Sequence, residues 1–256
     1  MNLIEAIILG IIQGVTEWLP VSSSGHLVLA QHLMKLEVPI AFDVLLHVAT
    51  LLAVLIFFRK DIWSIAKDIL AFRKESYNFK FGVFIILATL VTSLIVLLFL
   101  RYFESAFFNL FIIGISFIAT GFILLISEKR LGEKNFSAAS AGAVGFSQAI
   151  AFIPGISRSG ATISTALLLG IKRQQALKFS FLLSVPAIIG TAVLKLKDLA
   201  SFTIPISYLT ISFITAFAFG YSSIFLLSKI IAKKRFHYFG YYCFAIGILT
   251  LIIYFI

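Results

Sequence analysis

One cysteine, five prolines, eleven acidic residues and a charged content of 12% in 256 residues leave this chain little with which to coat or cross-link a soluble globule. With 61% hydrophobic residues and a mean hydropathy of +1.08, it belongs in lipid. The lone Cys243 excludes an internal disulfide, and the lack of any Cys/His cluster excludes a structural zinc or iron–sulfur site, so redox chemistry is not expected. No positive region precedes Glu5, the first charge, so the apolar stretch from Leu3 reads as part of the mature fold and not as a signal peptide. The formal net charge of +10 does not point to nucleic acid, because the basic residues sit in short segments between apolar runs, where they control topology.

Six runs are long and apolar enough to cross a bilayer as helices: 41–58, 82–100, 107–127, 175–194, 206–228 and 239–256. Two further apolar regions, 3–34 and 138–170, are each interrupted by a Pro, Ser and Gly cluster, LPVSSSGH and IPGISRSG, and each reads as a re-entrant hairpin of two short helices. A break of this kind strands backbone groups in hydrocarbon unless protein or a wet cavity covers it, so both breaks should point inward. At an offset of 135 residues Gly10 matches Gly145, Gln13 matches Gln148, Ser22 matches Ser157, Ser24 matches Ser159 and Gly25 matches Gly160. The expected fold is therefore an all-α polytopic membrane protein with two repeats, 1–134 and 135–256, each a hairpin plus three spans, in one integrated membrane domain. Three is odd, so the second repeat enters from the opposite face and the repeat is inverted.

Sixteen basic residues fall on one face: Arg59, Lys60, Lys67, Arg73, Lys74, Lys80, Lys129, Arg130, Lys134, Lys172, Arg173, Lys178, Lys229, Lys233, Lys234 and Arg235. The other face holds Lys35, Arg101, Lys195 and Lys197. Positive-inside bias makes the first face cytoplasmic, with both termini and the mouth of the first hairpin outside, and lets the two breaks meet within the membrane.

A helix starting after each break would aim free N–H groups and its positive dipole end at the interior, a geometry that holds anions. Ser22, Ser23 and Ser24 in one break and Ser157, Ser159 and Thr162 in the other add hydroxyls suited to phosphate oxygens, although serines also cap helices and pack membrane helices. Arg158 carries more information: a charge at bilayer depth costs roughly 2.5 to 3.5 kcal/mol and generally has a partner or a function. Its fork suits phosphate, and its structural alternative is a salt bridge to Glu17. Glu17 and His26, nine residues apart across the first break, are similarly costly. The repeat is asymmetric at these positions, since Glu17 aligns with Phe152, Ser23 with Arg158 and His26 with Ala161. One half thus brings acid–base groups and the other the cation, a division that phosphoryl transfer needs. Among the other polar residues, His32 is expected near the outer interface and His237 in a basic cytoplasmic loop. Asp43 with His47, at spacing four near the outer end of a span, reads as a local polar contact ahead of a catalytic pair, and Trp18 and Trp63 as lipid-facing or interfacial packing. The competing readings are a transporter or lipid flippase, because inverted repeats with broken helices recur in transport, and a purely structural membrane subunit.

Together these motifs resemble the undecaprenyl-diphosphate phosphatase family, known for conferring bacitracin resistance, and the resemblance covers essentially the whole chain. The first motif, Glu or Gln followed by three residues and Glu, runs from Gln13 to Glu17 and continues through SSSGH to His26; the second, PGxSRSxxT, is complete from Pro154 to Thr162. The resemblance implies hydrolysis of undecaprenyl diphosphate to the monophosphate and inorganic phosphate, assisted by a divalent cation, Mg2+ or Ca2+. This regenerates the carrier lipid for cell-wall synthesis in the bacterial inner membrane, with the site opening to the outer, periplasmic face. Its partners would be the polyprenyl diphosphate and membrane lipids, with no nucleic acid and with a homodimer as the assembly to test. Carried over by position, Glu17 would bind metal or activate the attacking group, His26 would transfer a proton or act as nucleophile, Ser23 is a second candidate nucleophile, and Arg158 would hold phosphate oxygens. Gln13, Ser22, Ser24, Ser157, Ser159, Thr162, Gly155 and Gly160 would bind substrate. Gln13 is the neutral form of a position often acidic in that family, which weakens the case for a two-carboxylate metal site.

Overall fold

The computed structural model describes residues 1–107, 109–128, 132–195, 204–232 and 235–256. Among them are eleven helices and no strand: α1 (Leu3–Trp18), α2 (Ser23–Leu33), α3 (Ile40–Phe57), α4 (Arg59–Leu70), α5 (Tyr77–Ala106), α6 (Leu110–Glu128), α7 (Ala138–Ile150), α8 (Arg158–Leu168), α9 (Arg173–Leu194), α10 (Ile206–Ala232) and α11 (Tyr238–Phe255). Six of these, α3, α5, α6, α9, α10 and α11, are long and apolar enough to span a bilayer, and they coincide with the six expected runs. The chain is thus a multi-pass membrane protein. The expected bases Lys129, Arg130, Lys233 and Lys234 on one face and Lys197 on the other lie outside the described residues.

The two interrupted regions resolve into helix pairs whose ends follow from local chemistry. Asn2 and Glu5 form a reciprocal cap that starts α1, and Ser137 with Ser140 does the same for α7. The residue before a proline is pushed out of the α region, so α1 stops ahead of Leu19–Pro20, and α7 ends at Ile150, short of Pro154. At about 1.5 Å per residue, the 16, 11, 13 and 11 residues of α1, α2, α7 and α8 are each too short for a 30 Å hydrocarbon core.

Small residues set the packing between the two halves. Helix α1 lies along α10, and a Cβ at Gly14 would stand 2.7 Å from the Ala216 carbonyl oxygen and 2.9 Å from the Gly220 nitrogen. Helix α7 lies along α5 in the same manner, with a Cβ at Gly145 only 2.4 Å from the Ala88 carbonyl oxygen. Each contact is sealed by a hydroxyl across the helix pair: Ser223 Oγ donates to the Gly14 carbonyl (2.9 Å) and Thr92 Oγ1 to the Gly145 carbonyl (2.8 Å). Helices α3 and α9 pack together beneath the two breaks, and α6 pairs with α11.

Three features depart from the sequence reading. Helix α4 falls where only a connection was expected. It is amphipathic, with Ile65 and Ile69 against Gly82 of α5 and Trp63 exposed on the other face. Helix α5 runs past its apolar core, losing helical geometry only at Phe99 (φ −113°, ψ 15°), and delivers Phe107 to the site. Trp18 is fully buried, not lipid-facing, because it stacks edge-on against Phe181 of α9 (5.1 Å) under the second break.

Candidate active site

The two breaks touch. Ser159 Oγ donates to the Leu19 carbonyl at 3.1 Å, joining one tip to the other. Gly25 opposes Gly155, whose φ of +91° suits glycine, and a Cβ on Gly25 would come within 3.0 Å of the Gly155 Cα. Ser22 caps α2 by accepting from the Gly25 N–H (3.3 Å), and Ser157 caps α8 by accepting from the Gly160 N–H (3.1 Å), the same arrangement 135 residues further along the chain. Ser22 does so at φ +66°, an uncommon conformation for a residue bearing a side chain. The N-terminal ends of α2 and α8 are thereby held at one place.

At that place Glu17, its side chain 3% exposed, is the hub. Arg158 donates through Nη2 to Glu17 Oε1. Two donors converge on Oε2, Ser23 Oγ at 2.5 Å and Gln13 Nε2 at 3.0 Å, and the His47 ring nitrogen Nε2 lies 3.3 Å from it. A buried carboxylate is tolerable only when paired and hydrogen-bonded in this way. The Arg158 guanidinium also lies over the Trp18 ring, 5.2 Å from its centroid, so the buried tryptophan acts as the shelf for the cation. His47 Nδ1 lies 2.7 Å from the Asp43 carbonyl, which can only accept.

Beside this cluster is a cavity of about 180 Å³. Its polar wall comprises Glu17, Ser22, Ser23, Ser24, Ser157 and Arg158 together with Asp43 and His47; its apolar wall includes Ile40, Phe107, Phe152, Ile156 and Ile188. Six of the residues singled out from sequence thus share one chamber. The others do not line it. Gln13 stands behind Glu17, and Thr162 hydrogen-bonds Ser180 at 2.6 Å on the far side of α8. Ser159, Gly155 and Gly160 serve the junction between the breaks and the α8 cap. His26 faces away toward α11, its Nδ1 donating to the Ser22 carbonyl and its Nε2 accepting from the Tyr242 hydroxyl, both at 2.7 Å, with the two rings stacked at 5.6 Å.

From sequence, His47 ranks as a local contact of Asp43 ahead of a catalytic residue. The local contact expected between His47 and Asp43 exists, but through the Asp43 backbone, which leaves Nε2 free to reach Glu17. Spacing four along one helix signalled a neighbour on α3 and carried no sign that α1 crosses the same face. Asp43 itself lines the cavity while accepting from Gln31 Nε2 at 2.7 Å. Among the described residues no three His, Cys, Asp or Glu side chains gather closely enough to cage a metal. Beside Glu17, however, the buried Gln13 Oε1 has no hydrogen-bond partner, an orphaned oxygen of the kind hard cations take.

The chain matches the family described as bacitracin resistance protein BacA over residues 6–249. It is similar to an undecaprenyl-diphosphatase of Methanosphaera stadtmanae, 39% identical over 271 residues that take in 99% of this chain and 98% of that protein. A protein of the same name from Desulfosudis oleivorans is 41% identical, covering 98% of both chains. Undecaprenyl-diphosphatase 2 of Bacillus thuringiensis is 40% identical over 98% of this chain and 97% of its own.

Proposed function

Because the chain belongs to the bacitracin resistance protein BacA family, we infer that it is an undecaprenyl-diphosphatase, hydrolysing undecaprenyl diphosphate to undecaprenyl phosphate and inorganic phosphate and so supporting bacitracin resistance. The observation that carries this reading is the convergence of Glu17, Ser23 and Arg158, from both halves of the chain, on one cavity that also receives two helix N-termini. A diphosphate has many acceptor oxygens and several negative charges; Arg158, the α2 and α8 N-termini and the Ser22, Ser24 and Ser157 hydroxyls supply donors to it.

Ser23 Oγ is the attacking atom in this reading. Its proton passes to Glu17 Oε2, 2.5 Å away, as Oγ bonds to the terminal phosphorus. The bond from that phosphorus to the bridging oxygen breaks and undecaprenyl phosphate departs with the electron pair; water then attacks the phosphoserine phosphorus, the P–Oγ bond breaks, Glu17 returns its proton to Ser23 Oγ, and phosphate keeps the protons of the water. Arg158 offsets the charge that builds on the phosphoryl oxygens. His26, outside the cavity and bonded at both nitrogens, acts by holding the Ser22 backbone. Glu17, with the orphaned Gln13 Oε1 behind it, would hold a divalent cation, Mg2+ or Ca2+, at this site. Its contribution would be to neutralise diphosphate charge.

The same reading includes an inverted repeat with re-entrant helix pairs. It is supported by the paired serine caps, by the α1/α10 and α7/α5 contacts that exchange partners between halves, and by four helices too short to span. Ile40, Asp43, Phe107 and Thr191 lie at those ends of α3, α5 and α9 that face away from the base-rich side, so the cavity opens to the outer face of the cell membrane. The apolar wall of Ile40, Phe107, Phe152 and Ile188 would take the first prenyl units and leave the tail in the bilayer.

The test is phosphate release from undecaprenyl diphosphate by purified protein, with and without Mg2+ or Ca2+, for the parent and for Ser23→Ala, Glu17→Gln and Arg158→Lys. Turnover by the parent and loss of at least a hundredfold in each variant is expected; a parent that binds the lipid without turning it over identifies a transporter instead. A cysteine accessibility map in a Cys243→Ala background checks orientation: Glu37→Cys should react with an impermeant thiol reagent from outside and Lys74→Cys only after lysis.

A further inference from the structure

We propose that His47, which neither motif contains, is a positioning residue of this site, fixing the Glu17 carboxylate in line with Ser23. The inference rests on the reading of Glu17 and Ser23 as reacting groups. Glu17 hangs from α1, and its two oxygens have different duties: Oε1 meets Arg158, and Oε2 meets Ser23 Oγ. When Arg158 turns donors toward a phosphate, the tether on Oε1 loosens, and the carboxylate's orientation then depends on what else grips Oε2. Gln13 comes from the same helix, one turn earlier, and its tie outside that helix is a long bond to Thr50 Oγ1. His47 comes from α3, a full span packed between α9 and α10, and is itself locked by the Nδ1–H bond to the Asp43 carbonyl one turn before it. An imidazole anchored at one nitrogen and presenting the other is the arrangement that orients carboxylates and ligands elsewhere in proteins. Thr50, one turn further along α3 and 3.4 Å from Gln13 Nε2, continues the same seam. The side chain of His47 is 25% exposed and lines the cavity, so it is not buried as packing.

What the site needs from His47 is a donor at this position. His47→Leu should lower kcat for phosphate release about 10- to 100-fold with KM within about threefold, while leaving the detergent elution profile and the thermal midpoint near those of the parent. His47→Gln, whose amide N–H can reach the same oxygen, should recover at least a third of parental kcat. Full activity in His47→Leu overturns the inference, and so does a His47→Gln protein as slow as His47→Leu, because the imidazole would then be needed for something other than orientation. Glu17→Gln runs alongside: parental activity in that variant sinks the underlying reading of the site, whereas a dead Glu17→Gln with an active His47→Leu sinks only the role given to His47.

Discussion

Replacing Arg158 by methionine separates what the buried ion pair does for stability from what it does for turnover. In the parent, Arg158 is the described partner of Glu17 Oε1, and their side chains are 16% and 3% exposed. Removing one member of a buried pair typically costs about 3 to 5 kcal/mol, because the remaining charge stays out of water. Ser23, Gln13 and His47 still hold Oε2, which places the loss near the lower end, about 3 kcal/mol. For a chain of this size that corresponds to a fall in thermal midpoint of about 6 to 12 °C. Adding Glu17→Gln makes the site neutral, and well-packed neutral replacements of buried pairs are commonly close to neutral in stability. The double variant should therefore regain most of the loss, remaining about 1 kcal/mol below the parent for the missing contact with Trp18. Phosphate release should stay at least a hundredfold down in both proteins, since the cation that meets the phosphoryl oxygens is gone from each. Thermal unfolding in detergent and a phosphate assay on the four proteins of the cycle measure both quantities. If the double variant is no more stable than Arg158→Met, or if Arg158→Met keeps its turnover, the ion-pair argument is wrong.

Helix α7 carries its own control for the packing argument: Gly145→Ala drives a Cβ into the Ala88 backbone and should cost about 1 to 3 kcal/mol, whereas Gly142→Ala meets nothing within 4 Å and should be neutral or slightly stabilising in the same melt. Tyr242→Phe removes the hydroxyl donated to His26 Nε2; losing one such bond, worth about 0.5 to 1.5 kcal/mol, should slow phosphate release by roughly 2- to 12-fold, and an unchanged rate would release His26 from its tie to α11. Beyond the end of α4, bonds from Ser76, and further ones from Asn78 and Arg73, hold the Asp68 carboxyl below its usual value. A group whose folded pKa is depressed contributes its stability in full above the unfolded value, about 3.9, and loses it as pH falls through the lower folded value. Protease cleavage of the 71–76 turn should accordingly quicken on acidification below pH 4 in the parent and be pH-independent, and faster throughout, in Asp68→Asn.

Much of this architecture was legible because hydrocarbon imposes strict rules. Length and apolarity mark the six spans, and prolines with serines mark the two breaks, since no other residues interrupt an apolar helix so sharply. The cost of a charge in lipid singled out Glu17 and Arg158. The offset of 135 residues revealed Ser22 and Ser157 as counterparts, and they cap their helices in the same manner. Amphipathic α4 escaped notice because RKDIWSIAKDIL is too polar for a span and too short to stand out from a connection.

Side-chain direction was not legible. His26 carries the right chemistry at the right depth, yet on α2 it projects toward Tyr242, 216 residues later, while His47 turns into the chamber. Trp18 read as a lipid-facing ring until α9 was seen to cover it. Composition and local pattern determine which segments enter the membrane and where the chain must break, because those follow from the transfer energies of a few consecutive residues. Which side chains meet at Glu17 depends on how α1, α3 and α8 are rotated about their axes, and that rotation is set by distant packing, such as the fit of Gly14 on α10 and Gly25 on Gly155.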